Sequence, residues 1–198
     1  PRDVPSSSDL KTADFDYDLP RDRIAQEPLP DRSQSRMMVL DRKTGRIDHR
    51  GVADLPFYLR AGDRLVLNNT RVIPARLFGV KAETGGRVEL LLLEEVAPNT
   101  WDVLCGVARK PKPGSELILA SGRLRGRVLA NTDSRFMRIR FDSAEPVFRV
   151  LEEEGIVPLP PYIHREIETV QAADPAQRAR HQADRERYQT VFARVPGA

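Results

Sequence analysis

Residues 67–76, LNNTRVIPAR, crowd hydrogen-bonding groups at the end of an apolar run. Asn68, Asn69, Thr70, Arg71 and Arg76 offer amides, a hydroxyl and guanidinium groups to one neighbourhood. Two tasks suit such a set. Arg71 or Arg76 can grip a carboxylate or phosphate on a polar pocket floor, because a guanidinium fork matches two acceptor oxygens at once. Alternatively, the Asn and Thr side chains satisfy the backbone of a strand-to-strand corner. A second segment, residues 157–165 (VPLPPYIHR), is stiffened by Pro160 and Pro161. It either presents Tyr162 and Arg165 at low entropic cost or serves as a rigid linker between domains.

The arginines form a third pattern. Residues 106–140 hold nine basic side chains against two acidic ones, whereas the whole chain carries only +3. Arg123, Arg125 and Arg127 alternate with Leu124, Gly126 and Val128, and Arg138 and Arg140 alternate with Met137, Ile139 and Phe141. On strands that spacing sends the guanidinium groups to one face and the apolar groups to the other. The charged face is then either an ordinary solvated surface or a surface that tracks the phosphates of a polyanion. No aromatic residue interleaves the arginines, so base stacking on this face is not expected.

Other chemistries find little support. His49, His164 and His181 stand far apart, none in a two-histidine helical spacing, and each reads as a surface residue. Cys105, the single cysteine, has no thiol partner and sits in an alternating strand, where a core role outweighs that of a nucleophile. The turn at residues 84–87 lacks the Lys-Ser/Thr that a phosphate-binding loop requires, and no dinucleotide glycine fingerprint occurs. No metal is expected.

The elements that must position these groups follow from turn punctuation. FDYDLP (15–20) reads as a short strand or extended entry. Residues 36–41 and 46–50 flank a glycine-containing turn and read as a hairpin. Residues 52–60 form a short helix candidate if Pro56 lies in its first turn, and residues 64–67 begin a buried strand. Six β-favouring runs follow at 74–82, 87–96, 101–108, 116–120, 124–130 and 136–142, each bounded by Gly, Pro, Asn or Ser turns. That spacing predicts a small antiparallel barrel, Greek-key in order, since closure removes exposed edges. Residues 88–93 are apolar on both faces and make the most buried strand.

Beyond Asp142 the periodicity turns helical. Val147, Val150 and Leu151 mark a helix over 147–154 capped by Gly155. Residues 157–162 form an extended, proline-rich connector. Asp174 and Pro175 open a polar, mostly exposed helix running to about Tyr188.

Composition bounds the class. A chain of 198 residues, 40% hydrophobic and 31% charged, suits a globular protein with one or two domains and not a disordered acidic one. The longest apolar run, residues 90–93, is far short of the roughly 20 residues of a membrane span. One cysteine excludes a disulfide framework within the chain and makes the cytoplasm the default compartment. Residues 1–13 are polar, lack the apolar core of a signal peptide and read as a mobile tail. The absence of an initiating Met and the ending on Pro196-Gly197-Ala198 suggest a processed or truncated chain.

The chain resembles the S-adenosylmethionine:tRNA ribosyltransferase-isomerases of the queuosine pathway. The resemblance rests on FDYDLP (15–20), IAQEP (24–28), SRMMVLDRKTG (35–45), LNNTRVIPARLFG (67–79), GGRVELLLL (85–93), PKPGSEL (111–117), VPLPPYI (157–163) and DRERYQTVFAR (184–194). These occur in family order from Phe15 to the last residue and correspond to about the first half of the enzyme. Residues 166–183 are longer and more polar than the family pattern and read as a variable insertion.

The resemblance implies an α+β protein: a barrel at residues 74–143 inserted into an incomplete α/β domain made of 14–73 and 144–198. It implies transfer and isomerisation of the ribosyl group of S-adenosylmethionine onto 7-aminomethyl-7-deazaguanine at the tRNA wobble position. Epoxyqueuosine forms, and adenine and methionine leave. S-adenosylmethionine is then a consumed substrate, with no bound cofactor, and tRNA is the macromolecular partner of a protein expected to be monomeric. Candidate substrate-binding residues become Asn68, Asn69, Thr70, Arg71, Arg76, Tyr162, Arg165, Arg187 and Tyr188. Arg123, Arg125, Arg127, Arg138 and Arg140 are candidate RNA contacts. No residue present makes a convincing catalytic base, so the base is expected in the other half and this chain alone is expected to be inactive. A non-catalytic RNA-binding β-barrel module is the alternative.

Overall fold

The computed structural model describes residues 10–107, 109–132, 136–165 and 174–197, which form two compact units. The tail expected over 1–13 lies outside the described residues up to position 9, as does the variable insertion from 166 to 173.

The smaller unit comprises residues 1–53 and 161–164. Its hairpin pairs β1 (Arg36–Leu40) with β2 (Ile47–Gly51). Asp41 holds the turn, accepting from the Lys43 and Thr44 amides at 2.8 and 3.1 Å, while Gly45 takes the left-handed φ of 71°. Those backbone donors pull the Asp41 carboxyl below its usual range. Of the two readings of residues 15–20 the strand fails: a 3-10 turn, Thr12–Phe15, leads into unpaired chain, extended at Asp16, with Phe15 and Tyr17 exposed.

The larger unit, residues 54–160 and 165–198, contains the barrel. β4 (Arg76–Lys81), β5 (Arg87–Ala97), β6 (Thr100–Cys105), β7 (Glu116–Leu119), β8 (Leu124–Asn131) and β9 (Phe136–Asp142) close in the order β4-β5-β6-β9-β8-β7, every pairing antiparallel. β7 returns to lie beside β4, the first of three consecutive hairpin-linked strands, which is the Greek-key arrangement. Alternate residues point inward: Val88, Leu90 and Leu92 on β5, Trp101, Val103 and Cys105 on β6, Met137, Ile139 and Phe141 on β9. Each fully buried large apolar side chain contributes about 1.5–3 kcal/mol. Closure needs Gly79, because a Cβ there would collide with the Ile118 carbonyl and Leu119 of β7.

Helix α1 (Val147–Glu154) buries Val147, Val150 and Leu151 in the barrel core cluster, and Phe148 meets the Trp101 ring edge-on at 5.3 Å. Gly155 ends it in an extended conformation, not a left-handed one; here a side chain would strike the Pro74 carbonyl. Helix α2 (Pro175–Arg187) begins with Asp174 and Gln177 capping each other's backbone amides at 2.8 and 3.1 Å.

Two expectations fail here. Residues 64–67 are not a buried strand: Leu65, Val66 and Leu67 are exposed, Val66 by 92%. Among the described residues no strand runs beside them, so they have neither ladder nor covering layer; pairing begins only at β3 (Thr70–Val72). The segment after β2 is a seven-residue 3-10 run, Val52–Tyr58, with Pro56 near its end and not in a first α-helical turn. β3 pairs in parallel with β10 (Val195–Gly197), and with the barrel and helices this makes the protein α+β.

Candidate substrate site

β3 is three residues long and depends on partners beyond its own ladder. β10 sets Val195, Pro196 and Gly197 against Thr70, Arg71 and Val72. Gln189 does the work of a further strand: its Oε1 accepts from the Val72 amide at 2.8 Å, and its Nε2 donates to the Val72 carbonyl at 2.9 Å. The same Nε2 reaches the Arg185 carbonyl at 3.2 Å, tying β3 to the end of α2. Asn68 Oδ1 accepts from the Thr70 amide at 2.8 Å, so this side chain has the corner-forming role. The Asn69 carbonyl accepts from the Arg194 and Val195 amides at 2.8 and 3.1 Å.

Between β3 and α2 lies a cleft of about 370 Å³. Arg71, Glu152, Gln182, Arg185 and Glu186 line it. Arg185 donates to the Glu152 carbonyl, and Gln182 to Glu186 at 2.7 Å. Arg71 is exposed, and among the described residues no hydrogen bond or ion pair engages its guanidinium. The cleft therefore combines an unspent cation with two carboxylates and two amides, a set that can hold a zwitterionic ligand. Gln189 and Arg185 were absent from the sequence-based candidates. Gln189 directly follows the Arg187-Tyr188 pair singled out there, but a lone glutamine in a turn leaves no periodic mark.

The remaining candidates are dispersed. Arg76 Nε donates to Glu89 Oε1 at 2.6 Å on the barrel wall, with its guanidinium 5.6 Å from the Phe78 ring centre. Arg165 is not presented to solvent: it is bound twice to Asp184, with side chains only 7% and 11% exposed. That buried carboxylate also departs from a mostly exposed α2. Tyr188 caps α2, half-buried, and Arg187 is half-buried one residue earlier. Tyr162 is exposed in the smaller unit, where Gln26 donates to its carbonyl at 3.0 Å and accepts from the His164 amide at 2.8 Å.

The basic face also divides. Arg123, just before β8, binds Glu145 at 2.8 Å in the approach to α1 and Glu153 at 2.7 Å on α1; these hydrogen bonds raise its own pKa, and the one to Glu153 lowers that of Glu153. Arg138 holds Asp102 through both oxygens at 2.7 and 2.9 Å, and its hydrogen bonds keep the carboxyl below the usual range. Arg125, Arg127 and Arg140 line a groove of about 680 Å³ on the outer face. Cys105 is buried and burial pushes its thiol up, away from nucleophile chemistry. His49 and His164 are exposed, whereas desolvation lowers the half-buried His181. Among the described residues no cluster of His, Cys, Asp and Glu could hold a metal ion, and no helix is long and apolar enough to cross a membrane.

The chain is 41% identical over 189 residues to an S-adenosylmethionine:tRNA ribosyltransferase-isomerase of Acetivibrio thermocellus, covering 96% of this chain and 51% of that protein. It is 42% identical over 189 residues to the protein of the same name from Symbiobacterium thermophilum, with the same coverages. It thus spans about half the length of the relatives it matches. A crystal structure of an S-adenosylmethionine tRNA ribosyltransferase from Thermotoga maritima is 39% identical, covering 72% of this chain and 48% of that one with a TM-score of 0.34. The family model described as queuosine biosynthesis protein matches residues 12–198, and so takes in the hairpin, the barrel, both helices and the β3–β10 pair. The chain belongs to that family of queuosine biosynthesis proteins.

Proposed function

We propose that this chain forms about half of an S-adenosylmethionine:tRNA ribosyltransferase-isomerase acting in the cytoplasm on the wobble base of tRNA. The observation that carries the reading is the 41% identity to a protein of that name along 96% of this chain. The reaction moves the ribosyl group of S-adenosylmethionine to the exocyclic amine of 7-aminomethyl-7-deazaguanine. The sugar becomes an epoxycyclopentane, and adenine and methionine depart. S-adenosylmethionine is consumed, so no bound cofactor and no metal enter the scheme.

In this reading the β3–α2 cleft receives the methionyl end of the sulfonium substrate. Arg71 takes the carboxylate bidentately, and Glu152 and Glu186 accept from the ammonium group. The unengaged Arg71 guanidinium supports that role, as does the Gln189 clamp that fixes its strand. The other half of the enzyme supplies the base that starts the rearrangement and closes the site against water.

Chromatographic detection of adenine tests the proposal, with S-adenosylmethionine and a tRNA carrying the 7-aminomethyl-7-deazaguanine base as substrates. The complete polypeptide is expected to release adenine and methionine, and residues 1–198 alone to release none. Arg71→Ala is expected to raise KM for S-adenosylmethionine about 10–100-fold, the loss of a charge-assisted bidentate contact of roughly 1.5–3 kcal/mol. RNA binding by the complete polypeptide without adenine release would return the alternative, a non-catalytic RNA-binding β-barrel module.

A further inference from the structure

The barrel register places like charges face to face. Across the outer surface one row runs Glu116 on β7, Arg127 on β8 and Arg140 on β9. The next row runs Ile118, Arg125 and Asp142 on the same three strands. Directly opposed like charges on neighbouring strands destabilise a sheet, so the Arg127–Arg140 pair is a cost that an anion bound between them would remove. Arg127 reaches Glu116 at 3.1 Å, a pair largely open to solvent and hence weak. Among the described residues the guanidinium groups of Arg125 and Arg140 have no hydrogen-bonding or ion-pairing partner. Arg123 and Arg138, by contrast, are already committed to carboxylates.

From this geometry we infer that the groove between β7, β8 and β9 docks an RNA sugar-phosphate backbone. Arg125 and Arg140 are its two principal phosphate contacts, and Arg127 joins them on leaving Glu116. The inference rests on the reading of tRNA as substrate and assigns where its backbone lies. Arg125 and Arg127 stand two residues apart on one strand, about 6.6 Å, close to the separation of successive phosphates along a nucleic acid chain. The groove also holds Glu116 and Asp142. Those carboxylates repel any polyanion, but RNA also offers them hydrogen-bond donors, its ribose 2′-hydroxyl groups and base amines, which the carboxylates of an acidic peptide lack; this favours RNA over an acidic protein. Its one aromatic residue, Phe141, is buried in the core, so recognition follows the backbone and not base stacking.

Fluorescence anisotropy of a labelled anticodon stem-loop RNA, titrated across a salt series, tests the assignment. Arg125→Ala/Arg140→Ala is compared with Arg42→Ala/Lys43→Ala, which removes equal charge from the exposed turn of the β1–β2 hairpin. Thermal unfolding checks that each variant folds; should the double alanine variant fail, Arg125→Gln alone serves with half the slope change. The groove variant is expected to lower the log–log salt slope by about 1.4–1.8 and to lose roughly tenfold or more in low-salt affinity, with the hairpin variant unchanged. An unaltered slope in the groove variant overturns the docking site while leaving the RNA substrate in place. Failure of the unmodified protein to bind the RNA at low salt overturns both.

Discussion

Arg165 and Asp184 form the most enclosed ion pair described in this protein: two parallel hydrogen bonds at 2.8 and 3.0 Å join a guanidinium and a carboxylate that are each almost out of solvent. The pair ties residue 165, at the start of a chain segment returning to the larger unit, to the inner side of α2. Losing Asp184 leaves a buried cation without its carboxylate, which costs about 3–5 kcal/mol, whereas exchanging both partners for apolar residues of similar size is close to neutral. Asp184→Ala is therefore expected to lower the urea midpoint sharply and Arg165→Met/Asp184→Leu to recover most of it. Equal losses in the two variants would show that Arg165 is held by packing and not by charge.

The Arg123–Glu153 and Arg138–Asp102 pairs set a pH dependence. Glu153 and Asp102 both titrate below their ordinary values near 4.5 and 3.8, held there by the facing guanidinium groups. As pH falls, the unfolded chain takes up protons at those ordinary values first, while the folded protein resists until lower pH. Their contribution is thus complete above about pH 5 and lost as pH falls through the folded values. Urea midpoints between pH 3 and 7 are expected to fall on the acid side, with a shallower fall in Arg123→Ala and Arg138→Ala. Parallel profiles in all three proteins would remove these pairs as the cause.

The barrel was legible because its signal is local. Period-two alternation and a turn at each strand end are read within a few residues, and β9 (Phe136–Asp142) begins and ends where the alternation does. The alternation also placed Arg123, Arg125, Arg127, Arg138 and Arg140 outward, yet it carried no information about counter-ions. Glu145 and Glu153 come from beyond β9 and Asp102 from β6, so only the folded register separates the spent arginines from Arg125 and Arg140. The cleft was half legible for the same reason. The polar cluster at 68–71 stands out in sequence, but the glutamine that braces it lies 117 residues from Val72. Residues 64–67 misled because an apolar run predicts burial only where another layer covers it, and among the described residues none does.

Cys105 offers a direct probe of the barrel interior. It points inward from β6, is 8% exposed, and has its thiol pushed up by burial. Thiolate is the reactive form, and both burial and the raised pKa withhold it. Iodoacetamide at pH 8 is expected to label the folded protein far more slowly than the urea-unfolded chain, with labelling tracking global unfolding. Rapid modification under native conditions would mean that β6 opens independently of the rest of the barrel.

Gln189 turns one side chain into a strand neighbour, and its two bonds to Val72 can be separated chemically. Gln189→Ala removes both the acceptor for the Val72 amide and the donor to its carbonyl. Since β3 is part-exposed and water replaces some of what is lost, the expected cost is about 1–3 kcal/mol. Gln189→Glu keeps an oxygen for the amide but sets a second acceptor against the carbonyl, so it is expected to fall between alanine and the original residue. Hydrogen exchange of the Val72 amide reads this directly: protection should be greatest with Gln189, partial with Glu and least with Ala. The same order is expected in KM for S-adenosylmethionine in the complete polypeptide, because Arg71 sits on the braced strand. Unchanged exchange at Val72 in the alanine variant would show that β10 alone holds β3, and would leave Arg71 positioned without help from α2.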